Sequence, residues 1–321
     1  VSFAARLLLT CLCGSLAIAA QSESVAVAYS SGGVLYLATG AGKILNTIHP
    51  KIPIGNFAIS PDARTVVFTR SDAKPNGGRL YRLDVATSKV TSLTSGPHYI
   101  RGEVYADPDF SPDGRQIVFA IHSRAEGDRI DAAGPSATMD LATRKVNILM
   151  STRMWGGIEP EYANHPHWSP DGTQLLLNVT GTFALADAAG RHKEELARMT
   201  ESGPTDLRAT FALGWIGNSC VAYVYYTGRD PQELDRAPLQ ILNLRTREKQ
   251  PAQAILGATL PGAIDIAWPL RVRHDGDTVL VEGPTRSWKI PVQASRSGSG
   301  NDPFVRLVPR QHPEAVPPAC H

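Results

Sequence analysis

The tripeptide Ser-Pro-Asp recurs three times in matching surroundings, and it limits what this chain can fold into more than any other feature. The segments are Phe57-Ala-Ile-Ser-Pro-Asp-Ala-Arg-Thr-Val-Val-Phe68, Pro108-Asp-Phe-Ser-Pro-Asp-Gly-Arg-Gln-Ile-Val-Phe119 and Pro166-His-Trp-Ser-Pro-Asp-Gly-Thr-Gln-Leu-Leu-Leu177. Ile59, Phe110 and Trp168 each end one strand. Proline then pre-sets φ for a turn, and Asp-Gly supplies the positive φ of a tight reversal. The runs Val66–Phe68, Ile117–Ala120 and Leu175–Leu177 follow with no polar alternation, so each predicts a strand buried on both faces. Ala63 stands where the other copies have glycine, which predicts either strain or a different turn.

Each copy continues into two further strands. The first runs Arg79-Leu-Tyr-Arg-Leu-Asp84, a Thr87-Ser88 turn, then Lys89–Thr94. The second runs Thr138–Leu149. The third runs Phe183–Gly190 and ends near Ala197–Thr200. Two degraded copies follow. One is Leu213–Val224 with Leu239–Leu244. The other is Ile264–Trp268, a loop to Gly276, then Thr278–Glu282 and Ser287–Ile290. Val25–Tyr29, Val34–Ala38 and Ile44–Ile48 supply three strands of one more unit. The mean period of about 52 residues exceeds the ~40–45 usual for such repeats and makes six units. Gly (28) and Pro (24) are abundant, which suits short strands and tight turns. Charged residues make up 19% and the net charge is only +2, without basic runs, which excludes nucleic acid as a partner.

The pattern Phe/Trp-Ser-Pro-Asp-Gly-x-x-Ile-Val-Phe, then Leu-Tyr-x-Leu-Asp, then Val-x-x-Leu-Thr resembles the WD40-like repeat of TolB-type β-propellers. The same repeat occurs in prolyl-oligopeptidase-like enzymes and oligogalacturonate lyases. The resemblance implies an all-β, six-bladed β-propeller of four-stranded antiparallel blades, closed by pairing of N- and C-terminal strands so that no sheet edge is left open. It covers residues 21–310, with residues 311–321 expected as a flexible tail.

The first 20 residues read as a signal peptide. Arg6 gives the positive region, Leu7–Ala20 is apolar, and Ala17-Ile18-Ala19-Ala20 offers small residues for cleavage. The expected location is periplasmic or secreted, with no transmembrane segment in the mature chain. Cys11 and Cys13 leave with this segment. Export permits a Cys220–Cys320 disulfide, but the apolar setting of Cys220 favours a small buried apolar residue.

Catalytic signatures are missing. There is no Gly-x-Ser-x-Gly, His-Glu-x-x-His or Cys-x-x-Cys, and Gly40-Ala-Gly-Lys43 is followed by Ile44, so it reads as a hairpin turn rather than a phosphate loop. One polar constellation stands out. Alternate residues of a strand share a face, and just before each turn these positions hold Asn56, Asp107 with Asp109, His165 with His167, and Asp265. Converging innermost strands would place them at the mouth of a central channel, where they bind a polar ligand, hydrate the channel or bond to neighbouring strands. Asp107, His165 and Asp265 form a candidate set for a divalent metal, since carboxylate plus imidazole suits such an ion; no other cofactor is expected. Tyr99, Arg101 and Tyr105 on one loop, and Trp155 and Tyr162 on another, are of the types enriched at binding hot spots. These features predict a monomeric platform that binds a protein or a cell-envelope component. The alternative is a metal-assisted polysaccharide lyase or hydrolase working at the channel mouth.

Overall fold

The computed structural model describes residues 25, 27–31, 33–39, 43–70, 79–94, 103–123, 132–149, 163–179, 182–191, 194–196, 209–226, 239–251, 271–275, 278–282, 287–291, 304–307 and 320. All of its extended elements are β-strands, and they assemble into six antiparallel sheets among these residues. The first holds β1 (Val27–Ser31), β2 (Val34–Ala38) and β3 (Ile44–Ile48), with β23 (Phe304–Leu307) paired to β1. The second is β4 (Ile54–Ile59), β5 (Thr65–Arg70), β6 (Tyr81–Asp84) and β7 (Val90–Ser92). The third is β8 (Glu103–Phe110), β9 (Gln116–Ser123), β10 (Ala132–Asp140) and β11 (Val146–Ile148). The fourth is β12 (Ala163–Trp168), β13 (Gln174–Val179), β14 (Thr182–Asp187) and β15 (Glu194–Glu195). The fifth is β16 (Ala209–Ile216), β17 (Cys220–Tyr226), β18 (Leu239–Asn243) and β19 (Lys249–Pro251). The sixth has β20 (Arg271–Asp275), β21 (Thr278–Glu282) and β22 (Ser287–Pro291).

Two sequence boundaries move. The strand paired to β21 is Arg271–Asp275, not Ile264–Trp268, which lies outside the described residues. Asp275 faces Thr278 across Gly276-Asp277, the length of a two-residue hairpin. The fourth strand of the third repeat is Glu194–Glu195, ahead of the Ala197–Thr200 position expected for it.

The second strand of each repeat explains the stacking. Alternate side chains of a strand point to opposite faces. Val66 and Phe68 pack with Leu35, Leu37 and Ile48 of the first sheet, whereas Val67 packs with Phe110, Ile117 and Phe119 of the third. Val118 meets Trp168, Leu175 and Leu177, and Leu176 meets Val221 and Tyr223. Each core thus lies between two successive sheets, and the apolar run of the strand between them is buried on both faces.

The three Ser-Pro-Asp turns are built alike. The Ser60 hydroxyl donates to Asp62 Oδ1 at 2.6 Å and accepts from the Thr65 N–H at 2.9 Å, while the Arg64 N–H donates to Asp62 at 3.0 Å. Ser111 repeats this with Asp113, Gln116 and Arg115, and Ser169 with Asp171, Gln174 and Thr173. Ala63 adopts the same left-handed conformation (φ 57°) as Gly114 (72°) and Gly172 (74°), so the turn is kept and the alanine carries the strain. A second recurrent turn joins the outer two strands. Asp84, Asp140 and Asn243 each accept from the N–H of the threonine three residues on. The next residue then bonds back to the first turn: Val85 to the Arg64 carbonyl, Leu141 to Arg115, Leu244 to Ser219.

Cys220 and Cys320 form a disulfide with a Cα–Cα distance of 5.2 Å, and both are buried. This replaces the expectation of an isolated apolar cysteine and of a tail free at its end. Closing a 100-residue separation restricts the unfolded chain by about 4–5 kcal/mol in the chain-entropy account.

Replacing Ala63 by glycine removes the left-handed strain of roughly 1–2 kcal/mol against a smaller loss from unfolded-state freedom. Net stabilisation of about 0.5–1 kcal/mol is expected in urea unfolding; an unchanged or lowered midpoint would show the alanine to be unstrained. Acid gives a second check. The Ser111 hydroxyl holds the Asp113 carboxyl below its usual range, against the opposing push of burial. At Asp62 and Asp171 burial pushes upward, but hydrogen bonds from Ser60 and Ser169 and from backbone N–H groups outweigh it. A folded value below the unfolded one gives stability that is complete above about pH 4 and is lost as pH falls through the lowered value. The thermal midpoint should therefore fall below that pH, and less steeply in Asp113→Asn; parallel curves would contradict this.

Candidate functional site

The strands β4, β8 and β12 carry Asn56, Asp107 with Asp109, and His165 with His167, and each of these strands and β16 is interrupted once by a β-bulge. The register slips between Ile54 and Phe57, Ala106 and Asp109, Asn164 and His167, and Ala212 and Gly214. One extra residue at each place breaks the period-two alternation and re-aims the side chains. Pro108 and Pro166, which cannot donate to a ladder, sit at two of the bulges, and Gly55 at a third. Asp107 takes a left-handed φ of 48° there.

Asp107 and Asp109 consequently do not serve one ligand. Asp107 looks back to the second sheet, where the Asn56 amide donates to its Oδ1 at 2.6 Å. Asp109 looks forward to the fourth sheet. Its Oδ2 accepts the Trp168 backbone N–H at 3.0 Å and lies 3.7 Å from His167 Nδ1. The His167 carbonyl accepts the Trp215 indole N–H of the fifth sheet at 3.3 Å. The expectation that Asp107 with Asp109 share a face is corrected by the bulge, and what the strands bring together is a relay of links, each joining one sheet to the next. Ser30, donating to the Gly55 carbonyl at 3.4 Å, adds the link between the first and second sheets.

Asn178 is a member of this relay that the sequence reading missed. From β13 its amide donates to the Ala212 carbonyl at 2.9 Å, and its oxygen accepts the Ala212 N–H at 2.7 Å. The signal was present: an asparagine ending the apolar run Leu175–Leu177 has to find partners if buried, and it is buried.

Among the described residues no group of three or more His, Cys, Asp or Glu side chains is arranged to hold a metal ion. Of the candidate set Asp107, His165 and Asp265, only the Asp107 side chain is described, and its Oδ1 accepts from the Asn56 amide. The His165 side chain and Asp265 lie outside the described residues, as do Tyr99, Arg101, Trp155 and Tyr162. Tyr105 is described, and it is not on an exposed rim. Its ring is buried in the core between the second and third sheets, 5.6 Å from Phe119. The loop expected to carry it ends earlier: Tyr105 lies within β8 and pairs with Ile121.

If these groups are structural links, Asn178→Ala should be the costlier substitution. It strips partners from both the N–H and the carbonyl of buried Ala212, about 2–4 kcal/mol, whereas Asp109→Ala orphans one partly buried N–H, about 1–2 kcal/mol. Urea unfolding of the two variants checks the order; equal costs would show that Ala212 finds other partners.

No protein-family model matches this chain, and no curated protein matches its sequence. Solved structures do. A protein described as TolB of Agrobacterium tumefaciens is 18% identical, with 71% of this chain and 76% of that one covered and a TM-score of 0.51. An oligogalacturonate lyase in complex with manganese is 14% identical, over 84% and 73%, with a TM-score of 0.52. The oligogalacturonate lyase of Vibrio parahaemolyticus is 13% identical, over 83% and 74%, with a TM-score of 0.50. At these identities the likeness reaches the architecture and stops there: an all-β fold of the propeller type, built from antiparallel sheets.

Proposed function

We propose that this chain is an exported six-bladed propeller of the TolB-like, WD40-like repeat kind that binds a protein or a cell-envelope component, without a catalytic centre of its own. The observation that carries the reading is the commitment of the channel-side polar groups. Asn56, Asp107 and Asp109 hold one sheet to the next, and a carboxylate spent on a neighbouring backbone or amide is a poor general base or metal ligand. Binding is then left to the ends of the strands and the connections between sheets. On this reading Tyr99 and Arg101, with Trp155 and Tyr162, supply the anchors.

Six blades are supported by burial on two outward-looking faces. Leu35 and Leu37 of the first sheet face the second, yet Tyr36 and Ala38 on the opposite face are buried as well. Val221 and Tyr223 of the fifth sheet face the fourth, yet Ala222 and Ile241 are buried too. The sixth sheet between them accounts for both, with β23 pairing to β1 as the closing joint. Residues 1–20 serve as the signal peptide, residues 21–310 form the propeller, and the mature chain is a monomer in the periplasm or outside the cell. A disulfide agrees with an oxidising compartment, and no helix of the described residues is long and apolar enough to cross a membrane.

The test uses the mature chain purified after export, its N-terminus read by mass spectrometry and expected at Gln21. As bait against the envelope of its source, it should retain a partner that Tyr99→Ala/Arg101→Ala or Trp155→Ala/Tyr162→Ala weakens by about tenfold or more. The thermal midpoint should stay unchanged in those variants. The competing outcome is stoichiometric manganese together with elimination of oligogalacturonate, read as ultraviolet absorbance of the unsaturated product. Turnover lost with His165→Ala would replace the platform with a lyase.

A further inference from the structure

We propose that the core between the third and fourth sheets is a binding site for internal water, with the Ser136 hydroxyl and the Trp168 indole N–H as its ligands. The site needs only the stacking of these two sheets, whatever closes the ring.

Both groups face this core. Ala137 and Met139 of β10 pack against the second sheet, so alternation turns Ser136 and Thr138 towards the fourth. Trp168, at the end of β12, packs with Val118 of the third sheet and with Leu175 and Leu177 of its own. Leu149 connects the two positions. Its N–H donates to the Ser136 carbonyl at 2.9 Å, and its side chain lies in the core that holds Trp168. Ser136 is 0% exposed and Trp168 8%. Neither Ser136 Oγ nor Trp168 Nε1 has a hydrogen-bond partner among the described residues. Leaving such a group bare in an interior is costly, and folded proteins satisfy it with ordered water.

The repeat shows that this polarity is particular to one core. The carbonyl that accepts the Leu149 N–H belongs to Ser136, and the matching carbonyls, accepting from Leu93 and Leu196, belong to Leu80 and Phe183. Leu80 and Phe183 are fully buried in the cores between the second and third sheets and between the fourth and fifth. Ile59 and Phe110 stand where Trp168 does, one residue ahead of the turn serine. Two positions that are apolar in the other repeats are therefore polar here, and both look into the same core. Room accompanies the polarity. Ser136 is smaller than Leu80 or Phe183. Ala186, in the same core, pairs with Leu175, where Met139 and Leu83 pair with Ile117 and Val66. The larger Trp168 takes back part of that volume. Interiors are close-packed, so the remainder has to be filled, and a space lined by polar atoms takes water where a purely apolar one stays dry. A water there accepts from the indole N–H and exchanges a bond with the Ser136 hydroxyl, which both donates and accepts. Thr138, two residues on, puts a second hydroxyl on the same face.

The experiment is a crystal structure of the mature, disulfide-bonded chain at a resolution that shows ordered water, with thermal unfolding of Ser136→Ala beside it. Water should lie within hydrogen-bond distance of both Ser136 Oγ and Trp168 Nε1. Ser136→Ala removes one ligand of that water and should lower the thermal midpoint by about 1–3 °C. A dry core, or a protein atom bonded directly to the indole N–H, would overturn the site. So would an unchanged or raised midpoint in Ser136→Ala, because deleting a hydroxyl that has no partner costs nothing.

Discussion

The apolar run in the second strand of each Ser-Pro-Asp repeat is buried on both faces, and the stacking of the sheets follows from that. A sheet whose β5, β9 or β13 is apolar on both sides cannot stand with one face in water. It needs a neighbour on each side, and so does every neighbour in turn. A linear stack leaves two faces unsatisfied at its ends. Folds of the propeller type meet that requirement by stacking sheet on sheet around an axis. The burial of Tyr36 and Ala38 at one end of the series, and of Ala222 and Ile241 at the other, is what this requirement looks like in the residues themselves.

Apolar packing between sheets is strong but indifferent to how one sheet is rotated or slid against the next. The hydrogen bonds across the sheet boundaries supply that missing direction. Asn56 to Asp107, Asp109 to Trp168, Trp215 to His167 and Asn178 to Ala212 each tie a defined position in one sheet to a defined position in the following one. The bulges on the innermost strands make this possible, because without the extra residue Asp107 and Asp109 would point the same way. The same links hold these polar side chains in the scaffold before any ligand arrives.

What was legible in the sequence was local. The Ser-Pro-Asp turns were readable because hydroxyl, proline and carboxylate act within six residues of one another, and the apolar strands because their period is their own. Strands β2 and β3 fall at the residues expected of them for that reason. Non-local features were hidden. The bulges shift faces through pairing with another strand, so Asp107 and Asp109 looked equivalent when they are not. In the last repeat the turn signature is lost, and the apolar Ile264–Trp268 outweighed the short Gly276-Asp277 connection that marks the hairpin β20–β21. Tyr105 reads as a loop anchor because its neighbours Arg101 and Glu103 are charged; its burial depends on Phe119, fourteen residues away and across the sheet.

The disulfide belongs to the same class of hidden feature. Cys220 opens β17 in the fifth sheet and Cys320 lies beyond β23, so the bond joins residues 100 apart, with the sixth sheet and β23 between them in sequence. No local pattern marks such a pair. The apolar neighbours of Cys220 account for its burial with or without a partner, and only the folded chain brings Cys320 to it.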